Sequence, residues 1–220
     1  MGGARGWPVI RARDLAKVRD TTPVLVDVTF DVAPGEGLAI AGAEDAGRST
    51  LLRILATLER PTSGSVQIDG VDAAAHVFEV RRRIGYPDRG CVTGAGLRVA
   101  EHLDLIVRTR TPRERQPAAR VRECLERVGL SGMASVDSLG LEHRAVLALA
   151  ATLIGRPDVL LLDEPLAGIG APARKAVISW MSEMRLAGCA LVVASREDDV
   201  HALCQRTIRL ESGRMVACAG

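Results

Sequence analysis

The sequence predicts an α/β fold, and three observations carry that prediction. An apolar run, "GLAIA", leads into the glycine-rich "GAEDAGRST", Gly42 to Thr50, and on into the helical "LLRILATLER". Two short aliphatic runs, "DVLLLDE" and "CALVVAS", read as buried parallel strands, with "APARKAVISWMSEMRLAG" as the helix that joins them. From Leu97 to Ile154 the periodicity is helical, so a helical segment is inserted into the strand-bearing part of the chain.

The remaining elements follow from punctuation. "PVIRARDL", "VLVDVTFDVA" and "GLAIAG" are β-rich and are separated by the turn signals "TTP" and "PGEG". A helix is expected from Ser49 to about Leu58. In "RPTSGSVQIDGVDA", Pro61 and Gly64 mark a turn and the alternation of "SVQIDG" marks an edge strand. The helical insert divides into "LRVAEHLDLIVRTR", a proline-bounded link "TPRERQP", "AARVRECLERVGL" and "EHRAVLALAATLIG". "RTIRLESGRMVACAG" closes the chain as a hairpin. The expectation is one domain over 1–220, with a helical subdomain over about 97–154.

Composition narrows the function classes. With 220 residues the chain can bury a full core. Aromatics are only 2%, so that core must be aliphatic. A net charge of +2 with scattered basic residues argues against nucleic acid as a partner. Lys17 and Lys175 are the only lysines, which points to a compositional bias toward arginine. The five cysteines fall at no zinc-ligand or disulfide-framework spacing. The longest apolar run, Ala145 to Ile154, is too short to span a membrane, and the N-terminus lacks the apolar segment of a signal peptide. A cytoplasmic location is expected.

Two motifs carry chemistry. Gly42 to Thr50 has the spacing of a phosphate-cradling loop, G-x-x-x-x-G-K-[ST], with Arg48 in place of the lysine. Backbone amides and the following helix N-terminus would face phosphate oxygens, and the Ser49 hydroxyl would ligate Mg²⁺. "VLLLDEP" ends in Asp163 and Glu164, carboxylates at the C-terminal tip of a buried strand, where α/β sheets place ligands. His76, His102 and His143 have no paired carboxylate or cysteine at ligand spacing, so surface or satisfied polar roles are expected.

With "PTSGSVQIDG", "RRRIGY", "GRPDVLLLDEP" and "ESGRMVA" in the same order, the chain resembles the nucleotide-binding subunit of an ATP-binding cassette (ABC) transporter from about Val9 to Val216. The resemblance implies a P-loop NTPase of ABC type: a RecA-like core sheet, an N-terminal antiparallel β subdomain and an inserted helical subdomain. It also implies ATP and Mg²⁺, membrane-spanning permease subunits, and a second nucleotide-binding subunit that helps to sandwich ATP. By that resemblance Glu164 polarises the attacking water, Asp163 and Ser49 position Mg²⁺, and Gly42, Asp45, Gly47, Arg48, Ser49 and Thr50 form the nucleotide loop.

The departures from the family pattern are specific. Arg19 falls near the position of the aromatic that stacks on adenine. Asp45 replaces a glycine and Arg48 the lysine. The glutamine expected after "IGY" is replaced by Asp88 or Arg89. The signature loop aligns either as Ser138, Leu139 and Gly140 over an S-x-G core, or ungapped as "LGLEH". Ile169 and Gly170 stand at the leucine-aspartate pair, and Ser195 stands at the γ-phosphate histidine, with Arg196 next; His201 lies too far along the following helix to be that histidine. Two functions are therefore expected to compete: an ATP-binding transporter subunit with impaired or partner-dependent hydrolysis, and a pseudo-ATPase that serves as a structural member of its complex. The degenerate positions favour a heterodimer with a competent partner, peripheral on the inner face of the membrane through its permease.

Overall fold

A computed structural model describes residues 8–87, 94 and 96–219. Their contacts divide into two compact units. One takes the chain up to Ile84, Asp158–Pro165 and the chain from Met184; the other takes Gly85–Pro157 and Leu166–Glu183.

The first unit holds two sheets. β1 (Ile10–Arg19) pairs antiparallel with both β2 (Thr22–Val32) and β4 (Ser63–Ile68), and β5 (Val71–Asp72) completes a sheet of order β2-β1-β4-β5. The second sheet begins with β3 (Gly37–Gly42), which feeds the glycine loop and α1 (Arg48–Leu55). β3 lies parallel to β8 (Ala190–Ala194) on one side and to β9 (Arg206–Glu211) on the other, and β7 (Val159–Asp163) lies parallel to β8. β10 (Arg214–Ala219) folds back antiparallel on β9, and β6 (Ile84–Gly85) closes the order β10-β9-β3-β8-β7-β6. The aliphatic runs of the sequence become continuously buried strands, as sheets covered on both faces require.

Two glycines set the spacing of this unit. Gly47, the N-cap of α1, has φ 96° and a Cβ there would lie 2.6 Å from the Val24 carbonyl oxygen. Gly213, in the β9–β10 turn, has φ 77° and its Cβ would lie 2.4 Å from the same oxygen. The Val26 amide donates to the Gly213 carbonyl at 2.8 Å, so β2 is fixed to the hairpin tip of the other sheet. Leu51, Leu52 and Leu55 of α1 are fully buried.

α1 ends three residues before the expected Leu58, because Thr57 enters the left-handed region at φ 60° and the amides of Leu58 and Glu59 turn back to the Arg53 carbonyl. That turn delivers Glu59 to Lys17 (3.3 Å) and Arg19 (2.9 Å) at the end of β1 and to Arg53 (3.5 Å) of α1. Residues 77–83 form a helix the sequence pattern did not suggest, α2 (Val77–Arg83), carrying the three arginines in its last turn. Arg83 pairs with Asp69 and Glu79, and Arg81 donates to the Thr57 hydroxyl and carbonyl.

The second unit is helical. α3 (Val99–Arg110), α4 (Pro117–Val128) and α5 (Leu141–Ile154) pack on one another, with a 3₁₀ turn at Val136–Ser138 before α5. α4 starts with proline in its first turn and stops at Gly129, φ 70°, the expected start and stop chemistry. α6 (Ala171–Leu186) contributes Trp180 and Glu183, both held by Arg127 of α4. The guanidinium lies 5.2 Å from the ring centroid and binds the carboxylate at 2.8 and 2.5 Å. His102 on α3 is buried rather than exposed, and its Nδ1 meets no acceptor or donor among the described residues. Burial lowers its pKa, so the ring is neutral at pH 7.

Two outcomes follow. Leu161, fully buried opposite Val192, should cost about 2–5 kcal/mol when cut to alanine, measured by denaturant unfolding. Burial would raise the Glu59 carboxyl, but hydrogen bonds from Arg19 and Lys17 outweigh it and hold the pKa below the ordinary range. The stability this contributes is complete above the free-glutamate value of about 4.3 and is lost as pH falls through the lowered value. Glu59→Gln should therefore flatten the acid limb of a plot of Tm against pH.

Candidate functional site

β3 ends at Gly42, φ 145°, where the chain leaves the sheet into the glycine loop. Gly47 then turns the backbone so that α1 begins at Arg48, and its first turn carries neither an acidic residue nor a side-chain cap. This geometry leaves the helix N-terminus available to an anion. The Ser49 hydroxyl is exposed, Thr50 is buried, and Asp45 is exposed. The glycine loop is thus built as its spacing predicts.

The arginine within it is the main finding. Arg48 is 5% exposed, and its Nη1 binds Glu164 Oε1 at 3.1 Å. Its Nε is buried without an acceptor among the described residues. Glu164 follows β7 with φ 44°, its amide donating to the Ala194 carbonyl at 2.7 Å, so the strand tip aims the carboxylate at the loop. The other carboxylate oxygen, Oε2, accepts from the Arg196 amide at 3.2 Å. The Arg196 guanidinium lies 3.7 Å from Oε1 and binds Glu44 of the glycine loop at 3.0 Å. A chain of alternating charges, Glu44, Arg196, Glu164 and Arg48, therefore ties loop, strand tip and the end of β8 together. The exposed Glu44–Arg196 link is weak on its own; the Arg48–Glu164 link, with Arg48 nearly buried, is the one that fixes positions.

Asp163, half-buried at the end of β7, and the exposed Ser49 present side-chain oxygens. Their chemistry suits Mg²⁺, which takes one or two protein oxygens and completes its shell with phosphate and water. The orphaned Arg48 Nε suits a phosphate oxygen, which would satisfy it. Arg19 is held by Glu59 through its Nε and Nη2, and Nη2 also reaches the Thr50 hydroxyl at 3.3 Å, so its guanidinium is fixed beside the first turn of α1.

The other expected positions are placed as follows. Ser195 is 3% exposed, and its hydroxyl accepts from the Glu197 amide at 3.1 Å. Its carbonyl meets His201 Nε2 at 2.7 Å, a contact that helical spacing alone did not suggest. In the helical unit, Ser138 donates to the Ser135 carbonyl at 2.8 Å, Leu139 is extended, and Gly140 is the N-cap of α5. The Gly170 amide donates to Glu142 Oε1 at 2.8 Å, and Ile169 is buried. Asp88 and Arg89 lie outside the described residues. Arg196 and Glu44 were missed as site members, and the adjacent signal was a cation directly after the strand "CALVVAS".

Comparison with known proteins agrees with this geometry. Residues 25–167 match the family described as ABC transporter. The lipoprotein-releasing system ATP-binding protein LolD of Bordetella pertussis is 34% identical over 94% of this chain and 95% of its own length. The sulfate/thiosulfate import ATP-binding protein CysA 1 of Rhizobium meliloti is 31% identical over 93% of this chain, which spans 61% of that relative's length. Among solved structures, an ATP-binding subunit of an ABC transporter superposes with TM-score 0.88 at 24% identity, covering 96% of this chain and 89% of that one. A dimeric ATP-binding cassette, MJ0796, bound to ADP and Pi in a post-hydrolysis state, gives TM-score 0.83 at 21% identity, with 96% and 97% covered. With its glycine loop, its carboxylate-tipped strand and a family match over most of its length, the chain belongs to the ABC transporter family and has the fold of that family's ATP-binding subunits.

Proposed function

We propose that this chain is the ATP-binding subunit of an ABC transporter whose own arginines restrain hydrolysis. The observation that carries the proposal is the double hold on Glu164, by Arg48 at 3.1 Å and by the Arg196 amide at 3.2 Å. A carboxylate that activates water must be basic enough to draw its proton, and here Oε1 already accepts from a guanidinium and Oε2 from an amide, which stabilises the anion and makes it a weaker base. Loop amides, the α1 N-terminus and Arg48 would bind the phosphates, while Ser49 and Asp163 would hold Mg²⁺, which would supply charge neutralisation at the transferred phosphoryl group. For turnover Arg48 must move from Glu164 to phosphate, so nucleotide binding and release of the carboxylate are one event.

The partners are membrane-spanning permease subunits and a second ATP-binding subunit, with the chain peripheral to the membrane through the permease. A heterodimer is favoured, since two copies of this chain would double every substitution at Asp45, Arg48, Gly170 and Ser195. In this reading Ser138, Leu139 and Gly140 at the start of α5 act on the partner's nucleotide. A second reading, a pseudo-ATPase, is favoured by Ser195, which is only 3% exposed and too short to reach as far as the histidine that the family pattern has there.

Calorimetric titration with Mg-ATP should give a Kd in the micromolar to low millimolar range for the wild type and a tighter one for the Asp45→Gly, Arg48→Lys double variant. Absence of binding in both would remove the nucleotide reading altogether. In the presence of the partner subunits, Arg48→Lys should raise turnover about tenfold or more by freeing Glu164, and adding Glu164→Gln should abolish it. Binding with no turnover in any of these proteins would establish the pseudo-ATPase.

A further inference from the structure

A basic hollow lies in the helical unit, lined by residues to which no role has been assigned above. Thr111, Pro112, Arg113, Glu114, Arg115 and Arg156 line it, and its volume is about 690 Å³, within the range of small-molecule sites. The first five come from the link between α3 and α4, and Arg156 from the turn after α5. Arg113, Arg115 and Arg156 are exposed and make no ion pair among the described residues.

The one carboxylate in the lining does not neutralise them. Glu114 is turned into its own loop, where Oε1 accepts from the Gln116 amide at 3.1 Å and Oε2 from Arg120 Nη1 at 3.1 Å. Arg120, only 11% exposed, spends its other terminal nitrogen on the Ile154 carbonyl. Three lining arginines thus face a single carboxylate that a fourth arginine already holds. Burial first, and then the nearby charge of Arg156, depress the Arg120 pKa, although Glu114 opposes both. Arg156 is also held at φ 48°, a left-handed conformation uncommon for a residue with a side chain.

We infer that this hollow is a binding site for a compact, phosphate-dense anion, an oligophosphate or a phosphate-bearing lipid headgroup, held by Arg113, Arg115 and Arg156. Guanidinium forks match phosphate oxygens in pairs, and several in one small hollow match a ligand with several charges in a short span. An acidic peptide would need a longer groove and apolar anchors, and Pro112 is the only apolar residue in the lining. The lining shares no residue with the glycine loop, and the inference does not rest on that loop binding ATP.

The test is hydrogen exchange followed by mass spectrometry on the full chain, which reads the hollow and the glycine loop as separate peptides. The probes are inorganic tripolyphosphate, vesicles of phosphatidylcholine, and vesicles containing phosphatidic acid. Exchange across residues 111–116 should slow at least about threefold with tripolyphosphate or with phosphatidic acid vesicles, but not with phosphatidylcholine alone. Protection by tripolyphosphate would identify a soluble ligand, and protection by phosphatidic acid only would identify a lipid headgroup; either supports the site. The triple variant Arg113→Gln, Arg115→Gln, Arg156→Gln should lose this protection while any protection of residues 42–50 persists. Arg156→Gln alone, the mildest change, should raise the half-saturating probe concentration about tenfold, as expected for one lost hydrogen bond to a charged group. No slowing at 111–116 with any probe, or equal slowing in the triple variant, would overturn the assignment.

Discussion

The carbonyl oxygen of Val24 is the point about which the strand-bearing unit is organised. Gly47 approaches it from the glycine loop and Gly213 from the β9–β10 turn, each closely enough to exclude a Cβ. Because β2 belongs to one sheet and the hairpin to the other, these two approaches fix the separation of the sheets. They also fix where α1 starts, and hence where Arg48 stands. A backbone contact without any functional group thereby determines the placement of the chemistry.

From that placement the electrostatics follow. A lysine would present a compact charge on a flexible stem, whereas arginine has a planar fork that can face two acceptors in different directions. Here one arm of Arg48 meets Glu164 and Nε remains buried and unmet. The site is consequently held together without nucleotide by a bond that would have to be exchanged when nucleotide arrives. Arg196 extends the same chain of charges outward to Glu44, through a weaker link because both side chains are exposed.

Most of the architecture was legible because aliphatic runs and helical periodicity survive in single sequences. The strands β3, β7 and β8, the closing hairpin and the three helices of the insert stand where apolar patterning placed them. The α2 helix was not legible, since its seven residues carry three arginines and only one buried side chain, Val80, too little for a periodic signal. The early stop of α1 depends on Thr57 adopting a positive φ, which no propensity for threonine foretells. In the site, the glycine loop and the Asp163–Glu164 tip were readable from spacing. The pairing of Arg48 with Glu164 was not, because 116 residues separate them and only the parallel order of β3, β8 and β7 brings them together. The grip of Glu59 on Arg19 likewise needed the turn after α1.

The contact of Arg127 with Trp180 has an optical consequence. The chain contains two tryptophans and one tyrosine, and Trp180 is the tryptophan of the helical unit. Its indole lies under a guanidinium that is clamped by Glu183 at 2.5 Å, a polar, cationic environment joining α4 to α6. Indole emission from Trp180 therefore serves as a built-in lamp on the α4–α6 seam, bright or quenched according to whether the guanidinium stays in place.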